Sequence, residues 1–200
     1  IMDGANELAG GEFRQKCRQA GCYSKVTEPY SPWMNRAEGT IRELKRSTRR
    51  AMVKSGSPKR LWDYCLELQS RIRSNVAHDI TTLDGQTPET LMTGNTADIS
   101  SLCEFEWFQW IWYRDELSPF PDASRALGRY LGPSKSIGPE MCAHILKPNG
   151  RVVQRTTMGP MTPTELSNTA IQTQMRDFMH QTYQGPLGRP MTESEDSGDD

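Results

Sequence analysis

Pro29-Tyr30-Ser31-Pro32-Trp33-Met34-Asn35-Arg36-Ala37-Glu38 reads as an extended loop leading straight into a basic helix, and this stretch decides how the chain folds. Pro29 and Pro32 push the residues before them into extended backbone. Asn35 suits an N-cap with Glu38 three positions on, so the helix begins there and runs to about Lys54, where Gly56 and Pro58 interrupt it. At about 100° per residue, Glu38, Arg42, Lys45 and Arg49 fall in a narrow arc of one face. Ile41, Leu44 and Ala51 point elsewhere and can pack on a sheet. Between positions 36 and 60, nine basic residues stand against two acids, a local balance of +7. Such a face suits a polyanion, whereas the bland alternatives are a capping-box role for Glu38 and a solvated surface for the cations.

Upstream, Asp3-Gly4-Ala5-Asn6-Glu7 supplies a second carboxylate. Thirty-four residues separate Asp3 from Glu38, enough for a turn, a helix, a strand and a loop, so the two can meet in space. The helix is carried by Phe13, Cys17 and Ala20 and closed by Gly21, and a short strand follows over 22–27. Two carboxylates suit Mg2+ or Mn2+, hard ions that take oxygen ligands and keep positions open for phosphate and water. Read alone, Asp3 fits equally well as a turn residue before Gly4. Tyr30 and Trp33 sit where aromatic rings either stack beside a frayed base or anchor the core.

The run Asp3 to Glu7, the loop ending at Glu38 and the following Ile41-Arg42-Glu43-Leu44-Lys45-Arg46 together resemble the second half of a retrotransposon integrase core of the copia type. The resemblance implies a ribonuclease H-like fold with an Asp-Asp-Glu triad, in which Asp3 is the second Asp, Glu38 is the Glu, and the first Asp lies upstream of Ile1. Retroviral relatives commonly place one more residue between the last two carboxylates, so the loop here is shorter by one. The implied activity is metal-dependent DNA strand transfer with Mg2+ or Mn2+ on Asp3 and Glu38. DNA contacts would come from Arg42, Lys45 and Arg49, with Tyr30, Trp33, Asn35 and Arg36 as further candidates. Element and target DNA are the implied partners, with a homo-oligomer in the intact enzyme and nuclear action. Lacking the first Asp, this chain alone is not expected to catalyse strand transfer.

Beyond the basic helix, Leu61, Cys65, Leu68, Ile72 and Val76 form one apolar stripe of a second helix. The segment 85–102 resembles the one that closes copia-type cores, which puts a boundary near 102. There the pattern changes to period two: Phe105, Trp107, Gln109, Ile111 and Tyr113 alternate with Glu106, Phe108, Trp110, Trp112 and Arg114. Further strands fit 126–131, 141–147 and 151–157, with Pro148-Asn149-Gly150 as a hairpin turn. The expected architecture is therefore α/β: the C-terminal part of a ribonuclease H-like integrase core over 1–102, a small β-barrel over 103–162, and a flexible linker over 163–200. That linker ends in a disordered acidic tail. The aromatic strand serves as barrel core or, less simply, as a cage for a methylated lysine.

Composition narrows the classes further. The net charge is −1, and no apolar run of membrane-spanning length is present, which points to an intracellular protein without a membrane partner. Five cysteines, an odd number with no Cys-x-x-Cys pair, indicate reduced and mostly buried thiols. His78, His144 and His180 lack ligand spacing or a nucleophile partner. Besides the integrase reading stand a non-catalytic nucleic-acid-binding remnant of a transposable element, which shares the basic helix, and an interaction module centred on the barrel.

Overall fold

Gly21 and Gly56 end the first two helices where their sequences stop favouring helix, and both sit at positive φ, 70° and 61°. The structure, a computed structural model, describes residues 11–22, 36–78, 83–96, 98–115, 124–134, 142–185 and 187–190. It is a mixture of helices and one antiparallel sheet. Two compact units, Ile1–Arg46 and Ser47–Asp200, divide the chain, and the division falls within a helix.

In the first unit, helix α1 spans Gly11–Gln19 and buries none of its residues. It stops where the Cys22 amide donates to the Cys17 carbonyl at 2.9 Å, a closure that the left-handed Gly21 permits. The strand expected over 22–27 lies outside the described residues beyond Cys22. The basic helix α2 runs Arg36–Ser55, as its sequence predicts. The amides of Gly56 and Ser57 close its last turn on the Val53 and Met52 carbonyls, and Pro58 then cannot continue it.

A 3-10 turn at Lys59–Leu61 leads into α3 over Trp62–Asn75. The expected stripe is present: Leu61, Cys65 and Leu68 are buried and Ile72 is half-buried. Val76 departs from it, 48% exposed, because the helix ends at Asn75 and Val76 continues in extended backbone. Two short helices follow, α4 (Pro88–Thr93), capped by the Thr87 hydroxyl, and α5 (Ser100–Cys103).

Five strands come next: β1 (Trp110–Arg114), β2 (Arg125–Pro133), β3 (Ala143–Leu146), β4 (Val152–Arg155) and β5 (Met158–Pro160). The period-two run begins at Phe105, yet β1 begins only at Trp110, because Phe108 adopts φ 62°, a left-handed conformation no strand contains. The expected turn joins β3 to β4, with the Gly150 amide donating to the Lys147 carbonyl at 3.0 Å. The sheet order is β4-β3-β2-β1-β5, antiparallel throughout. Its two outermost strands, β4 and β5, are separated in sequence only by Thr156 and Thr157. Four flat inter-strand steps would hold them about 19 Å apart, whereas three Cα–Cα steps span no more than about 11 Å. The sheet must therefore curl, and Arg155 of β4 donates to the Arg114 carbonyl at the end of β1.

The concave interior holds Phe105, Ile111, Tyr113, Tyr130, Ala143 and Ile145. The opposite face meets the helices through Leu131, Leu146 and Phe108, which pack with Met52, Leu61, Cys65 and Leu68. Both faces of the aromatic run are thus used. Gly128 lies where the interior is tightest: a Cβ there would stand 2.5 Å from Ile145 Cγ2 and 3.0 Å from Tyr113 Cδ1. Gly128→Ala should accordingly cost about 1–3 kcal/mol through forced rearrangement of the core. Equilibrium urea unfolding checks this, and an unchanged midpoint would contradict the tight interior.

Two features differ from the sequence expectation. The boundary near 102 passes through one packed core, since the cluster around Met52, Leu61 and Leu68 takes members from both sides of it. The segment read as a flexible linker from 163 onward carries α6 (Pro163–Ser167) and α7 (Thr169–Gln184). Helix α6 has a reciprocal capping box between Thr162 and Glu165. Helix α7 buries Phe178 and Thr182, and Phe178 meets Trp110 edge-on at 5.1 Å. The Tyr183 hydroxyl donates to the Gly56 carbonyl at 2.6 Å, and Leu187 packs on the same core. The acidic stretch 191–200 lies outside the described residues. All five cysteines are free, but only Cys65 and Cys142 are buried; Cys22 and Cys103 are exposed, a correction to the mostly buried expectation. Among the described residues, no helix is long and apolar enough to cross a membrane.

Candidate nucleic-acid interface

Helix α2 places its packing residues and its charges on different sides. Thr48 and Met52 are buried, Leu44 is half-buried, and Ala51 packs against the core, whereas Ile41 is 51% exposed. Of the three residues expected to pack, Ile41 therefore does not. Around the axis, Glu38, Arg42, Lys45 and Arg49 occupy an arc of about 60°. Glu38, Arg42 and Lys45 are exposed and Arg49 is half-buried.

The charges on this helix are only partly compensated. Glu43 and Arg46 pair at 2.8 Å, both about half exposed, and a surface pair of this kind contributes little to stability. Lys54 and Glu106 approach to 3.6 Å with both side chains 80% exposed. Among the described residues, Arg42 and Lys45 enter no ion pair, which leaves their charge directed to solvent. A row of cations at one-turn spacing, exposed at Arg42 and Lys45, matches the needs of phosphate binding, which depends on charge and reach rather than on a shaped pocket.

The other expected site residues are distributed differently. Asp3, Tyr30, Trp33 and Asn35 lie outside the described residues. Arg36 opens α2, and its side chain is likewise outside them. Glu38 sits in the first turn of α2, where a carboxylate also favours the helix N-terminus. Among the described residues, no three of His, Cys, Asp and Glu converge as a metal site. Glu38 is thus the one expected metal ligand that can be placed, and its oxygen donors are of the type that hard divalent ions prefer.

The aromatic strand does not form an open cage. The guanidinium of Arg125 lies 4.5 Å from the Trp112 ring centre, and that of Arg129 lies 3.5 Å from Trp110 and 4.4 Å from Phe108. Phe178 covers Trp110 further, and Tyr113 is buried inside the sheet. The chain's own arginines hold the places a methylated lysine would need. Arg129 also donates to the Phe108 carbonyl at 2.6 Å, fixing the left-handed residue, and burial lowers its pKa to about 9. Sequence reading missed this role because the Trp110–Arg129 pairing arises only when β1 and β2 align.

No protein-family model matches the chain, and no curated protein matches it.

Proposed function

We propose that this chain is the C-terminal part of a copia-type retrotransposon integrase and that α2 is its DNA-gripping helix. The observation that carries the reading is the row of Arg42 and Lys45, exposed, and Arg49, half-buried, on the same arc as Glu38, following the Asp3 and Pro29–Glu38 motifs in the order the family uses. In this reading Glu38 faces the scissile phosphate, and the three cations hold successive phosphates of the same strand. Tyr30, Trp33, Asn35 and Arg36 flank the strand end. Asp3 and Glu38 would hold Mg2+ or Mn2+, which when bound supplies Lewis-acid activation of the attacking hydroxyl and neutralises the departing oxygen. The upstream Asp completes the set. The intact enzyme acts on element and target DNA as a homo-oligomer in the nucleus.

The curled sheet supports the second half of the reading. A meander of four strands with the fifth returning beside the first is how a small barrel closes, as expected of the domain that follows an integrase core. The ribonuclease H-like character of residues 1–102 rests on the motifs themselves.

Replacing Arg42, Lys45 and Arg49 together by Gln tests the DNA contact. Three lost phosphate contacts should lower the slope of log affinity against log salt by about 2.7 for duplex DNA. An unaltered slope would remove α2 from the interface. The second reading, a non-catalytic nucleic-acid-binding remnant of a transposable element, requires only the row of cations on α2 and no carboxylate pair. The two readings part on Glu38, since only the first ties it to strand transfer.

A further inference from the structure

Pro58 and Pro190 form an isolated antiparallel bridge, and the Lys59 amide donates to the Arg189 carbonyl at 3.4 Å. Two stretches distant in sequence therefore meet at the turn between α2 and α3. They bring together Lys59, Arg60 and Arg189, all exposed. Beside them Trp62 opens α3 and is 57% exposed. Leu61 takes the buried position, so Trp62, turned by about 100°, faces outward.

A tryptophan is ordinarily well buried, and leaving this much indole in water forgoes a large apolar gain. A protein-docking patch would need contiguous apolar surface. Here the sequence neighbours Lys59, Arg60 and Asp63 are charged and exposed. Asp63 reduces the local balance from +3 to +2, and the N-terminus of the 14-residue helix α3 adds partial positive charge. An exposed flat ring among cations is the pairing that single-stranded nucleic acid uses, since each base offers a π-face and each linkage a phosphate. In a duplex the bases are already stacked.

We propose that this turn is a subsite for single-stranded nucleic acid, with Trp62 stacked on one base and Lys59, Arg60 and Arg189 on the phosphates to either side. It rests on the nucleic-acid reading of this protein and adds a strand form and a place separate from the α2 row.

The test is fluorescence anisotropy of the full chain with a labelled single-stranded oligodeoxynucleotide and with an abasic strand of equal length. Trp62→Ala should weaken binding of the base-containing strand about fivefold to a hundredfold and leave the abasic strand unaffected, with Trp62→Phe recovering most of the loss. Replacing Lys59, Arg60 and Arg189 by Gln should weaken both strands and lower the salt slope by about 2. Thermal melting of these variants should match the parent. The subsite is overturned if the chain binds no single strand, if Trp62→Ala binds like the parent, or if it loses both strands equally. A change in sedimentation in place of a change in strand affinity would overturn it too, marking Trp62 as a contact between copies. Failure of the α2 reading appears separately, as unaltered duplex binding by the Arg42, Lys45 and Arg49 variant.

Discussion

Phe178→Ala should destabilise the fold by about 3–5 kcal/mol, the range for removing a buried aromatic ring. Phe178 is 2% exposed, meets Trp110 edge-on, and belongs to the cluster containing Met52, Leu61, Leu68 and Leu131. Its removal leaves a hollow between α7 and the sheet that the surrounding strands, held by their ladders, cannot collapse to fill. In urea the midpoint should fall while the slope of the transition is retained, because the same surface unfolds. If residues from 163 onward were merely a linker, the substitution would leave the midpoint where it was. Given that whole domains are stable by about 5–15 kcal/mol, the variant is expected to sit near the limit of folding at 37 °C.

Glu38→Gln, placed in a chain extended upstream through the first Asp, should lower strand transfer by about a hundredfold or more, equivalent to about 3 kcal/mol of transition-state stabilisation. The substitution keeps the shape of the side chain and exchanges a charged pair of oxygens for a neutral amide. Glu38 is exposed on α2, so the fold should be unaffected. Duplex binding should persist, because the phosphate contacts proposed above are those of Arg42, Lys45 and Arg49. Equal strand transfer by parent and variant would detach Glu38 from catalysis. Absence of transfer in both, with salt-sensitive binding intact, would favour the non-catalytic reading.

The parts of this molecule visible in its sequence are those governed by neighbours along the chain. Gly56 and Pro58 ended α2 on schedule, the stripe Leu61, Cys65 and Leu68 found the core, and Pro148-Asn149-Gly150 turned β3 into β4. The row Glu38, Arg42, Lys45 and Arg49 was equally legible, because helical spacing alone aligns it. What escaped depends on distant partners. Helix α7 anchors through Phe178 and Thr182 within an otherwise polar stretch, too narrow a stripe to be recognised without the surface it meets. Phe108 reads as one more alternating aromatic, yet it turns left-handed where Arg129, from the neighbouring strand, takes its carbonyl. Arg189 likewise meets Lys59 only when Pro190 reaches Pro58.

The bond from Tyr183 to Gly56 spans 127 residues, and it sets an order of events during synthesis. At about 5–20 residues per second, a ribosome needs roughly 6–25 s to travel that distance. Helix α3 ends at Asn75, so for roughly 5–20 s of that interval the helix pair has been made while Phe178, the last buried member of its core, has not. Met52, Leu61 and Leu68 therefore wait with part of their apolar surface unclosed. A nascent chain in this condition is a natural client for chaperones, and loop closure over so long a distance makes completion of the fold slow compared with formation of its helices.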